Sequence, residues 1–360
     1  MADIKIFTVA EAPPELPRHG SATVVELRAG RLLLAWMESL GGDTIGHDHA
    51  PTQIATMISR DGGYSWTDRK IVLENHPGDI NIHYPCYLRL RSGDILFFHQ
   101  RLHQLAPGEP QRSSSFVCRS SDDGETFSPD ESIDILRHTG VAANEPLQLS
   151  TGRIILPIQD VQGDWCGDSD HQLNGTCYSD DEGRTWTMCT NWVDLPLRGA
   201  MEPHIVERKD GSLLMYMRTQ LGAVFQTGSE DGGASWSLPQ TTGLRAPESM
   251  PCLVKIPSTG DLLVIWNHSD FMPDYDHCGK RTPLTTAISR DEGRTWENFK
   301  NIETDPGYEF TNPSCFFTRE GKVMIFYEAS KMENPEPPGE LGRSCMPMKE
   351  AIADVEWFYE

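Results

Sequence analysis

The chain holds no run of about 18 apolar residues, so no helical membrane span is expected. Its start, MADIKIF, lacks the basic-then-apolar order of a secretion signal. A cytoplasmic location is therefore expected, or a secreted or periplasmic one had a signal been removed. Cysteine is present without a framework: nine residues, an odd count with no Cys-x-x-Cys pair, predict reduced thiols rather than a disulfide scaffold. Basic residues are scarce, 31 Lys and Arg against 53 Asp and Glu, for a net charge of −22. Long-range repulsion of that sign argues against nucleic acid and anionic membranes as partners. It does not exclude a small anionic ligand, because a local arginine cluster outweighs distant surface charge.

Turns are what the sequence has in abundance. With 31 glycines, 25 prolines and 38% hydrophobic content, its 360 residues describe a turn-rich all-β chain able to bury a large core. Five segments share the pattern Ser-x-Asp-x-Gly-x-x-Trp/Phe: SRDGGYSW from Ser59, SSDDGETF from Ser120, SDDEGRTW from Ser179, SEDGGASW from Ser229 and SRDEGRTW from Ser289. They start 61, 59, 50 and 60 residues apart, which marks an internal repeat of one supersecondary unit. Each residue type has a local reason. Serine and aspartate hydrogen-bond turn backbone, glycine supplies a positive φ, and the aromatic ring covers the turn.

A second repeat carries the same period. Apolar strand pairs split by a glycine turn recur six times, around Gly30, Gly93, Gly152, Gly211, Gly260 and Gly321. Six sheets of about four strands predict a six-bladed β-propeller of antiparallel blades. Residues 1–360 are read as one such domain, closed by pairing of the N-terminal DIKIFTVAE with the C-terminal DVEWFYE.

In a propeller the innermost strand of each blade lines a central channel, so the residues opening each hairpin are candidates for function. They lie in PRHGS, IHYP, NEP, MEP, SMP and TNP, and five of the six put proline directly after the candidate. This selects His19 or Arg18, Tyr84, Glu145, Glu202, Met250 and Asn312, with Met250 and Trp266 expected in the core. The insertion HSDFMPDYDHCGK, residues 268–280, is expected to lie over the channel mouth.

The turn repeats resemble the Asp boxes of the sialidase (neuraminidase) superfamily, and the chain resembles its BNR-repeat branch over nearly its whole length. MEPHIVERKDGSLLMYMRTQ resembles the arrangement in which a glutamate opens a blade and an arginine follows its second strand. The resemblance implies a supporting glutamate at Glu202 and carboxylate-binding arginines at Arg218, at Arg281 in RTPLTTAIS, and at Arg18. It also implies an acid/base aspartate at Asp48. Where the family keeps its tyrosine nucleophile, this sequence has Asn312 and Pro313; Tyr308 and Tyr84 lie elsewhere.

The implied function is a glycosidase acting on a sialic-acid-like or uronic sugar, an exo-α-sialidase-like activity. Arg18, His19, Arg218, Arg281 and Asn312 would bind substrate, and Asp48, Glu202, Glu145 and Tyr84 would do the chemistry. Arginine forks bind carboxylates bidentately and keep their charge. Lacking the tyrosine, an inverting hydrolase with one acid and one base stays open, as does a uronic-acid lyase using His83, Tyr84, His47 or His49 as base. A non-catalytic glycan-binding propeller is the competing class. No cofactor or metal is expected; His47 and His49 could face one way on a strand, but no third ligand has a telling spacing. The expected partner is an acidic carbohydrate or small glycoside, and self-association into a homo-oligomer is compatible with the sequence.

Overall fold

In the computed structural model, which describes residues 3–41, 48–103, 111–133, 135, 145–162, 170–332 and 345–360, the strands form six four-stranded antiparallel sheets. Blades I to V use consecutive strands, from residues 18–73, 79–132, 147–188, 201–245 and 252–303. Blade VI is composite. Strands β22 (Tyr308–Phe317), β23 (Lys322–Lys331) and β24 (Met348–Asp354) take β1 (Lys5–Ala10) as their outer edge, with Lys5 opposite Ile352. This pairing joins the two ends of the chain, as DIKIFTVAE suggested. DVEWFYE itself is a short 3-10 turn, Val355–Phe358, and the C-terminal strand comes from the residues before it.

The repeated turns form as their residue types require. In the last copy Ser289 Oγ donates to Asp291 Oδ1 at 2.8 Å and accepts from Gly293 N at 2.8 Å. Asp291 accepts from Thr295 N at 2.8 Å and from Thr295 Oγ1 at 2.7 Å. Gly293 holds φ +86°, and a Cβ there would stand 2.8 Å from Leu214 of blade IV. Glycine is thus needed both for its backbone and for its closeness to the next sheet.

That closeness is general, because each turn docks on the preceding blade. Trp296 of blade V donates Nε1–H to Tyr216 Oη of blade IV at 3.1 Å, and Trp236 of blade IV donates to Thr176 Oγ1 of blade III at 3.0 Å. The Trp186 ring of blade III meets Phe98 of blade II edge-on at 5.8 Å. Phe127 of blade II packs against a cluster that includes Val25, Leu27 and Leu33 of blade I. Trp66 of blade I closes the circle, donating to Glu350 Oε2 of blade VI at 2.8 Å.

Glu350 is fully buried at this seam, and burial pushes its carboxyl up to about 8. An acid raised in the folded state stabilises fully below its unfolded pKa, and that stability is lost as pH climbs through the folded value. Glu350→Gln, which keeps an acceptor for Trp66, is expected to leave the melting temperature near wild type at pH 5 and to raise it above wild type by pH 8. Calorimetry across that range checks this; a mutant-minus-wild-type difference that stays flat with pH would refute it.

Candidate functional site

The inner strands share a backbone irregularity that aims side chains into the channel. In β2 (Arg18–Glu26), β6 (Asp79–Arg89), β14 (Met201–Glu207) and β22, two residues stand opposite one on the neighbouring strand: Ser21–Ala22, Tyr84–Pro85, Glu202–Pro203 and Asn312–Pro313. The first residue of each bulge has positive φ, at 52°, 52°, 49° and 52°, and Glu145 before Pro146 joins them at 40°. Proline, unable to donate to the ladder, suits the unpaired second place. Non-glycine residues at positive φ cost energy and gather at functional sites. At Glu202 the freed N–H is met by Gln159 Oε1 at 2.8 Å.

These bulges open into a cavity of about 860 Å³ at one mouth of the channel. Arg18, Asp48, Tyr84, Glu145, Glu202, Arg218, Arg281 and Asn312 all line it. His19 does not. Its ring is 2% exposed and turned into blade I, where Nδ1 accepts the Trp36 Nε1–H at 3.0 Å, so the expectation that it binds substrate is corrected. The bulge residue of blade I is Ser21. It is followed by Ala22 rather than proline, which removed the signal marking the other blades. Met250, expected in the core, lines the cavity, whereas Trp266 is fully buried as expected. Tyr308 stacks on Phe310 and packs on the core of blades V and VI, outside the cavity lining. Of the histidine pair, His47 lies outside the described residues, and His49 Nε2 sits 3.1 Å from Gln111 Oε1. The insertion reaches the cavity through Pro273, Tyr275, Asp276, His277 and Cys278.

Two ion-pair networks form the walls. On one side Arg18 donates Nη1 to Asp48 Oδ1 at 2.6 Å and Nε to Glu328 Oε2 at 2.9 Å, while Asn312 Nδ2 donates to Glu328 Oε1 at 2.7 Å. Glu328 is buried; Asp48, with its side chain 41% exposed, is open to solvent at the rim. On the other side Arg218 donates Nη1 to Glu202 at 3.1 Å and Nη2 to Glu248 Oε1 at 2.8 Å. Glu248 also takes Arg198 Nη1 and Gln220 Nε2, and its carbonyl accepts Arg281 Nη2 at 2.9 Å. Burial opposes ionisation of Glu248, but Arg218 and Arg198 overcome it and hold the carboxyl down at about 2. Arg218 Nε is buried with no acceptor among the described residues.

Sequence reasoning missed Arg198, Glu248, Glu309 and Glu328, all in the cavity wall. Glu328 carried a usable signal, a carboxylate inside an otherwise buried strand run. The cavity floor differs in chemistry from the walls. Glu145 accepts Cys315 N–H at 3.2 Å, and burial pushes its carboxyl up to about 7. His204 is 2% exposed and held neutral by burial, its pKa pushed down to about 3. His83, also in the wall, is lowered by burial to about 4.

Comparison with known proteins places this geometry. Residues 30–325 match the family model described as a BNR repeat-like domain. An anhydrosialidase of Macrobdella decora is 33% identical over 222 residues, 56% of this chain. The match spans only 26% of that relative's length. Among solved structures, a protein of unknown function from Dyadobacter fermentans superposes with a TM-score of 0.73 at 17% identity, covering 97% of this chain and 99% of its own. The Hadza microbial sialidase Hz136 gives a TM-score of 0.74 at 17% identity over 98% of this chain and 69% of its own. At such identities the structural likeness carries the fold alone, while the family model spans most of the chain. On its repeats, its six-bladed ring and that match, the chain belongs to the BNR repeat-like family.

Proposed function

We propose that the protein is an exo-acting glycosidase that releases a terminal acidic sugar of the sialic-acid or uronic class. The observation that carries this reading is the convergence of Arg18, Arg198, Arg218 and Arg281 on one cavity at the channel mouth. Arginine forks bind a carboxylate bidentately and keep their charge, which suits them to an acidic sugar. Glu328, Glu202 and Glu248 hold the Arg18 and Arg218 guanidinium planes in place before any ligand arrives.

Asp48 is the proton donor in this reading, standing at the solvent-facing rim where a leaving group would exit. Asn312 occupies the bulge where the family's tyrosine was expected and has no nucleophilic oxygen to offer. Water is the attacking group, with Glu202 as its base, and the sugar leaves with inverted configuration. Asn312 also favours a second reading, a glycan-binding propeller that kept the arginines and lost the chemistry. NMR of the anomer first released from aryl glycosides of sialic and uronic acids separates the two. Inversion is expected; retention would overturn water attack, and tight binding without release would leave the lectin.

Two substitution results follow. Asp48→Asn and Glu202→Gln are each expected to lower kcat by about 10²–10⁴-fold with binding retained. Arg218→Lys replaces a fork by a point charge and is expected to raise KM by about 10–100-fold. Steady-state kinetics reads both, and an Arg218→Lys variant with unchanged KM would sink the carboxylate assignment.

A further inference from the structure

The channel floor concentrates a second kind of chemistry. Directly after each bulge the strand rejoins its ladder, and there blade II places Cys86, blade IV His204 and blade VI Ser314, with Cys315 next to it. Cys252 opens the inner strand of blade V, and Glu145 reaches in from blade III. One ligand atom each from Glu145, His204 and Cys252 lies within 4.8 Å of the others, and Cys252 Sγ is 4.0 Å from Glu145 Oε1. Cys315 stands beside both, its N–H on Glu145 Oε1 at 3.2 Å.

His204 is the second, independent sign. The ring is 2% exposed, and neither of its nitrogens has a hydrogen-bond partner among the described residues. Buried imidazoles are ordinarily bonded, because an unmet polar atom costs about 1–3 kcal/mol. Here three blades bring an imidazole, a thiol and a carboxyl to one point instead.

We propose that Glu145, His204 and Cys252 bind one divalent ion of the zinc class in the propeller channel, directly beneath the sugar cavity. Mixed nitrogen, sulfur and oxygen donors suit zinc, whereas calcium and magnesium call for oxygen alone. Bonds of about 2.0–2.3 Å set tetrahedral donors roughly 3.3–3.8 Å apart, so small side-chain shifts close the present spacing around an ion. Cys315 is the nearest candidate for the fourth position. Such an ion ties blades III, IV and V together at the axis, where the outer turns do not reach.

The test uses the full-length protein stripped with a chelator and contains no sugar, so its outcome is independent of the glycosidase reading. Zinc is titrated in competition with a chromophoric chelator, and cobalt is added separately to read its spectrum. One equivalent of zinc is expected to bind and to raise the melting temperature. Cobalt is expected to show thiolate charge-transfer absorption. Cys252→Ser and His204→Gln should each weaken zinc at least tenfold and remove the thermal shift, with Cys252→Ser diminishing the cobalt band. Absence of one tight equivalent, absence of the thiolate band in the wild type, or unchanged zinc affinity in both variants would overturn the proposal. The wild-type cobalt spectrum decides even where a variant does not fold.

Discussion

The ring depends on one repeated contact, the docking of each Ser/Asp/Gly/Trp turn onto the blade before it. Hydrogen bonds within the turn fix its shape, but the energy of assembly lies in what the aromatic ring and the glycine meet next door. Sheets stacked around an axis bury their faces only when every neighbour is present. Trp66 on Glu350 is therefore more than one further hydrogen bond, because it is where the last gap closes. An ionisable partner at that point makes closure answer to pH.

Much of this architecture was legible in the sequence because its determinants are local. A turn that needs serine, aspartate and glycine at fixed spacing announces itself, and six hairpins with the same period leave few other folds. The site was legible only where a local mark accompanied it. Proline after Tyr84, Glu202 and Asn312 exposed those bulges, and proline after Glu145 its positive φ, whereas Ala22 after Ser21 hid the fourth bulge and drew attention to His19. Glu248 and Arg198 could not be read this way, since their role comes from pairing across blades. The floor cluster was less legible still. Residues 145, 204 and 252 share no spacing, and only ring closure brings them together.

Arginines gather in the cavity of a strongly acidic molecule, each among carboxylates that also line it. The chain carries −22, yet its channel mouth collects Arg18, Arg198, Arg218 and Arg281. Each wall arginine is embedded among groups that fix its direction, and Glu248 alone serves three of them through its carboxylate and its carbonyl. Guanidinium groups held in this way lose little freedom when an anion arrives.

The inner-strand bulge also separates the inheritance of shape from the inheritance of chemistry. At that position the side chain leaves the ladder and takes no part in sheet pairing, while the φ near +50° restricts which residues fit. Asparagine tolerates this conformation better than most, so Asn312 holds its place in blade VI at little backbone cost. The propeller can thus gain or lose a reactive group one residue at a time, with the backbone as an unchanging socket. Relatives of this fold would then diverge in reaction long before they diverge in form.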